Sequence, residues 1–174
     1  SYIKPSSPQK SKKDNLPGWK SLTSYKFPGL EIKKTKKEEF LKKFPYVKKP
    51  DNASNDVAIY TYNSNSNSNF SSIKFAFDNG VLSWIDYIPK QKVELKDVIS
   101  TFGTPIAINT DGSKYLDFYS YDNINVSIAK DKGNVFAFTQ VEEEKCATNN
   151  AKILKMSIPS WRSLSQGKVA NLTP

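Results

Sequence analysis

The stretch Ile73-Lys-Phe-Ala-Phe-Asp-Asn-Gly-Val-Leu-Ser-Trp-Ile-Asp-Tyr-Ile88 contains a β-hairpin with its turn written in. Asn79-Gly80 stands between two apolar runs, and such a pair accepts the φ > 0 dihedrals of a tight type I′ turn. A two-residue turn sets Phe77 opposite Leu82 and Phe75 opposite Trp84. Alternation along the strands then puts these four, with Ile73, on one face. The other face takes Lys74, Ala76, Val81, Ser83, Ile85 and Tyr87. Ile85 and Tyr87 are its exposed apolar members, unless a tail or a second helix covers them. The same grammar returns in Val126–Val141, where a Lys132-Gly133-Asn134 loop pairs Ile128 with Phe138 and leaves Ser127, Ala129, Ala137 and Thr139 on the other face.

Outward from the first hairpin, Thr35 to Phe44 reads as a helix. Thr35-Lys36-Lys37-Glu38 has the form of a capping box, and Phe40, Leu41 and Phe44 make one apolar stripe ahead of Pro45. Val57–Tyr62 is a strand, and Asn63–Asn69 is a polar loop of Asn and Ser alone. Beyond Pro89, Val93–Phe102 is a second short helix with Leu95, Val98, Ile99 and Phe102 on its stripe, closed by Gly103 and Pro105. Thr110–Ser113 is a turn and Tyr115–Tyr121 a strand.

The two halves align. Phe40-Leu41-x-x-Phe44-Pro45 matches Val98-Ile99-x-x-Phe102-Gly103, and Tyr60-Thr61-Tyr62-Asn63 matches Tyr119-Ser120-Tyr121-Asp122. The expected fold class is therefore α+β: two tandem helix-plus-three-strand units, an antiparallel sheet with short helices packed on one face, and extended N- and C-terminal segments. The boundaries are a basic arm at 1–29, unit one at 30–90, unit two at 91–141, and a linker with a terminal motif at 142–174. This pattern, with Phe102-Gly103-Thr104-Pro105 closing the helix before a Tyr-rich strand and a hairpin, resembles the BLIP-like and SmpA/OmlA (BamE-like) repeat families. Phe44-Pro45 departs from it by lacking the Gly. The resemblance implies a non-enzymatic protein-binding domain with a sheet face as its binding surface, extracytoplasmic or associated with the cell envelope.

Composition narrows the chemistry. There is no histidine, and Cys146 is the only cysteine. Ser-His-Asp and Cys-His catalysis, zinc or haem sites built on His or Cys, and an internal disulfide are thereby excluded within one chain. No phosphate loop follows a strand, and Asp78-Asn79-Gly80 and Asp131-Lys132-Gly133 are turns too short to form a calcium loop. No enzyme activity, cofactor or metal is expected. The net charge of +9 sits in the first third, where residues 1–50 carry 14 lysines against Asp14, Glu31, Glu38 and Glu39. A basic arm of this kind fits nucleic acid or an anionic lipid surface as a second reading.

One further motif is duplicated. Leu16-Pro17-Gly18-Trp19-Lys20-Ser21-Leu22-Thr23 recurs without a gap as Ile158-Pro159-Ser160-Trp161-Arg162-Ser163-Leu164-Ser165. As a pair of docking motifs, Trp19 and Trp161 fill pockets, Lys20 and Arg162 meet an acidic rim, and Leu22 and Leu164 add apolar contact. Two copies on one spacer gain from effective concentration and would make the chain a linker or scaffold in a protein assembly. Two other readings stay open: each Trp folds back as a lid, or the motif opens a repeat unit. The expected partner-binding residues are Trp19, Lys20, Leu22, Trp161, Arg162, Leu164, Ile85 and Tyr87.

Overall fold

A computed structural model describes residues 16–47, 50, 56–64, 68–142 and the backbone of 169–171. Among these, eight strands form one sheet: β1 (Val57–Asn63), β2 (Phe70–Asp78), β3 (Val81–Pro89), β4 (Ala107–Asn109), β5 (Leu116–Ser120), β6 (Ile124–Ala129), β7 (Val135–Gln140) and β8 (Val169–Asn171). Their spatial order is β1-β2-β3-β7-β6-β5-β4-β8, and every neighbouring pair is antiparallel. Two short helices, α1 (Lys37–Lys43) and α2 (Leu95–Phe102), complete the regular structure with a 3-10 turn at Trp19–Ser21.

The expectation of two tandem helix-plus-three-strand units is overturned. The strands of both halves form a single antiparallel sheet, joined where Ile85 pairs with Gln140, Asp86 with Thr139 and Tyr87 with Phe138. The physical reason is the strand edge. A separate three-stranded sheet would leave β3 and β7 with rows of unpaired backbone groups, and pairing the two edges satisfies both. Val169–Asn171, in the C-terminal segment expected to carry the second motif, pairs with β4.

The turn at Asn79-Gly80 forms as the sequence dictates, with φ of 49° and 78°. Phe77 faces Leu82, but the register then shifts: Ala76 pairs with Trp84 and Phe75 with Ile85. Ser83 is the extra residue of a β-bulge, which turns the rest of β3 over. Ile85 and Tyr87, expected on the open face, are core residues at 2% and 0% exposure, while Trp84 and Asp86 go to the second face. The second hairpin carries the same device. Val126, not Ile128, pairs with Phe138, Ile128 pairs with Val135, and the skipped Phe136 is exposed.

The core lies on the first face. Phe40 of α1 packs on Phe75 and Phe77 with ring centroids 4.8 and 5.0 Å apart, and Val98 of α2 is fully buried in the same cluster. The capping box does not form. Thr35 Oγ1 instead accepts the Glu31 N–H at 2.7 Å, and Lys36 stands at the N-cap without a side-chain cap, bridging to Val81. The second helix enters in the same manner. Glu94 bridges to Asn134, Val135 N–H donates to Val93 O at 2.8 Å, and Leu82 N–H donates to Thr35 O at the same distance. That pairing starts α2 at Leu95 instead of Val93. Ile99, expected on its stripe, is exposed.

Candidate functional site

Residues 16–32 form a strap laid across the first face, and its attachments are specific. The Trp19 indole stacks on Phe138 at 5.3 Å and meets Phe102 edge-on at 5.6 Å. Leu22 is fully buried three residues on. Gln140, at the end of β7, holds the strap's backbone. Its Nε2 donates to Leu22 O at 2.9 Å and to Tyr25 O at 2.8 Å, while its Oε1 accepts the Tyr87 hydroxyl at 2.7 Å. Asn123 Nδ2 donates to Thr23 O at 2.6 Å. Further on, Phe27 packs edge-on against Phe44 and Phe75.

Between this strap and the sheet lies a cleft of about 460 Å³. Tyr25, Phe27, Leu30, Ile32, Ile85 and Val141 give it apolar walls and floor, and Asn123 and Gln140 supply amides. Its rim carries both signs of charge, with Lys26 and Lys34 set against Glu31 and Glu142. Lys34 Nζ stands 2.9 Å from Glu31 Oε1. That hydrogen bond and the Glu31 charge hold the Lys34 ammonium above its usual range, with a smaller pull from Glu142. The size and the mixture of apolar walls with amide and charged groups are those of a site for a side chain or a short segment. A smaller hollow of about 320 Å³ beside it is lined by Gly29, Leu30, Glu31, Lys34, Thr35 and Glu39.

The sequence-expected partner residues divide three ways. Trp19 is partly buried and docked on its own sheet, with Lys20 Nζ 5.7 Å over its ring. Leu22, Ile85 and Tyr87 are buried and correct the expectation that they meet a partner as surface residues. Leu22 is drawn in by the Gln140 clamp, and the other two by the Ser83 bulge, although Ile85 still floors the cleft. Trp161, Arg162 and Leu164 lie outside the described residues. The cleft residues Leu30, Val141 and Asn123 carried no sequence signal. Gln140 did carry one, since it falls in phase with core residue Phe138, where a polar side chain needs buried partners.

On the second face a polar row crosses the sheet in register: Thr61, Lys74, Asp86, Thr139, Asn125 and Ser120. Among the described residues no three His, Cys, Asp or Glu side chains are grouped to hold a metal ion. No family model, curated protein or solved structure matches the chain.

Proposed function

We propose that the chain is a non-enzymatic protein-interaction module, and that the cleft between strap and sheet is where it holds a partner. The supporting observation is the cleft itself: about 460 Å³, walled by Phe27, Leu30, Ile32 and Val141, with acidic and basic groups on one rim. A cleft with apolar walls and charged and amide groups on its rim suits an aromatic or aliphatic anchor beside a charged residue, the usual composition of an interface hot spot. The resemblance to BLIP-like and SmpA/OmlA repeats supports a binding role as well, though here the surface lies beside the strap.

Leu30→Arg tests this, because Leu30 is half-buried in a loop and a guanidinium there fills the cleft without cutting into the sheet. Pull-downs from the native source are compared between wild type and variant at matched melting temperature. A protein that wild type retains and Leu30→Arg loses supports the reading. Identical captured sets refute it.

The lysines of the strap, the turn that follows it and α1 favour a second reading. Lys20, Lys26, Lys33, Lys36 and Lys42 are exposed, and together with the Lys-rich residues before the strap they would attach the domain to nucleic acid or an anionic membrane. Binding that collapses as salt is raised, and that ignores Leu30→Arg, would select it.

A further inference from the structure

The strap and the cleft occupy related positions. Around the central pair Asp86–Thr139, Ile85 pairs with Gln140 and Tyr87 with Phe138, so the antiparallel register makes Ile85 and Phe138 two-fold counterparts. Each is preceded by the same bulge, at Ser83 and at Phe136. Each half also brings in its helix by the same bridge, Lys36 to Val81 and Glu94 to Asn134. The position over Phe138 holds Trp19, the indole of the first Pro-x-Trp motif. The position over Ile85 is held by Phe27, edge-on to Phe44 as Trp19 is to Phe102, so that Ile85 is almost closed to solvent and the cleft opens beside Phe27. The chain has one slot filled by a copy of this motif, a cleft next to the counterpart position that Phe27 holds, and a second copy of the motif in its sequence.

We propose that the cleft beside Phe27 receives the second motif, Ile158-Pro-Ser-Trp-Arg-Ser-Leu-Ser165, from another copy of this chain. This rests on the reading of the cleft as a protein-binding site and names its partner. Trp161 enters beside Phe27, Leu30 and Val141. Arg162 lies next to it in sequence and meets the acidic rim at Glu142 or Glu31, where a guanidinium can bind a carboxylate bidentately.

Reach decides between the same molecule and another. Val169 begins β8, which lies five strand spacings from β3, a lateral distance of about 24 Å. Trp161 precedes Val169 by eight residues, and eight residues fully extended span at most about 26–29 Å. The cleft stands above the sheet on the first face, which adds to the distance and leaves no slack. A motif from a second copy meets no such limit. Because the motif and the cleft are different surfaces, the contact is heterologous and makes rings or chains of copies.

The test uses full-length protein with reductant present, so that Cys146 cannot supply a covalent link. Trp161→Ala removes the competing motif from every copy, and a synthetic peptide of residues 157–166 is titrated against that variant by calorimetry. We expect saturable binding, weakened about tenfold or more by adding Leu30→Arg or Glu142→Lys, and self-association of wild type that Trp161→Ala diminishes. No peptide binding overturns the proposal, and so does binding indifferent to Leu30→Arg. If wild type stays monomeric while its cleft is closed to the peptide, the motif is in the same molecule and the second-copy assignment falls. If the peptide fails while Leu30→Arg still loses a protein from the native source, the proposal is sunk and the cleft reading stands.

Discussion

The Thr139 hydroxyl donates a hydrogen bond to a carboxylate oxygen of Asp86 where β3 meets β7, and both residues are withdrawn from solvent. The pair sits in the polar row on the second face, and its neighbours in that row are in a different condition. Asn125 and Ser120 are fully buried, and among the described residues neither the Asn125 carboxamide nor the Ser120 hydroxyl has a hydrogen-bond partner. Removing a donor from a satisfied charged acceptor and removing a group that has no partner should therefore act in opposite directions.

Thr139→Val keeps the shape of the side chain and removes the donor. It should destabilise by about 1–3 kcal/mol, the cost of stripping one bond from a buried carboxylate. Ser120→Ala, two strands away, removes a buried hydroxyl with no partner among the described residues and should be neutral or raise stability by up to about 1 kcal/mol. Chemical denaturation of both variants checks the contrast. Equal destabilisation by the two would show that Ser120 is satisfied.

What could be read in the sequence was local. Asn79-Gly80 encodes its own turn, and the Phe40/Phe44 stripe buries as its spacing requires. The bulges were not legible. An extra Ser83 in an alternating run looks like one more polar position, and only the β2 partner reveals that Trp84 and Ile85 have exchanged faces. The cleft was illegible for a different reason. Its walls join residues 25–34 to 123 and 140–142, and the clamp that sets them spans 118 residues between Leu22 and Gln140. No periodicity in a short window reports a contact of that separation. The merging of the halves into one sheet likewise depends on β3 meeting β7, an event that neither hairpin encodes alone.

Deleting Ser83 should act far more severely than replacing it. Ser83→Ala keeps the bulge and loses only a hydroxyl that donates to Val81 O at 3.0 Å, so it should cost about 1 kcal/mol or less. The deletion restores plain alternation and sends Ile85 and Tyr87 toward the second face while bringing Asp86 into the core. Loss of cooperative unfolding is the expected result, read by near-ultraviolet circular dichroism. A cooperatively folding deletion variant would show that the sheet absorbs the slip elsewhere.

Gln140→Leu tests the clamp. The substitution is similar in size but leaves Leu22 O, Tyr25 O and the Tyr87 hydroxyl without their partner. A loss of about 2–4 kcal/mol is expected from stranding several buried groups at once. Amide exchange should accelerate first in residues 19–27, ahead of the sheet. Uniform acceleration across strap and sheet would mean that the strap does not open as a separate unit.

Trp19→Ala separates docking on the chain's own sheet from docking on a partner. The indole contacts Phe138 and Phe102, so truncation should lower stability by about 2 kcal/mol or more, less than the loss at a fully buried site because Trp19 is only partly covered. An unchanged thermal melt would return Trp19 to the surface as a residue for partners.

Alkaline pH should unfold the protein through its raised tyrosines, Tyr87 and Tyr121 above all, with Tyr119 shifted in the same direction by partial burial. Tyr87 donates to Gln140 Oε1, and burial, with a smaller contribution from Tyr25, pushes its hydroxyl well above the usual phenol range. Tyr121 donates to Gly103 O at 2.9 Å, and burial, with a smaller contribution from Tyr119, pushes it up to about 12. An unfolded tyrosine ionises near about 10. A raised folded pKa means that the native state holds its proton more tightly than the unfolded chain does. The stabilisation is therefore complete below pH ~10 and is lost as pH rises toward about 12 and beyond. Lys34 and Lys96 shift in the same sense but are exposed, so solvent screening keeps their share small. Melting temperature measured from pH ~8 to ~12 should fall steeply above about 10, and the fall should be shallower in Tyr87→Phe, which has no proton to lose. An identical slope in that variant would assign the alkaline transition to other groups and remove Tyr87 from the account.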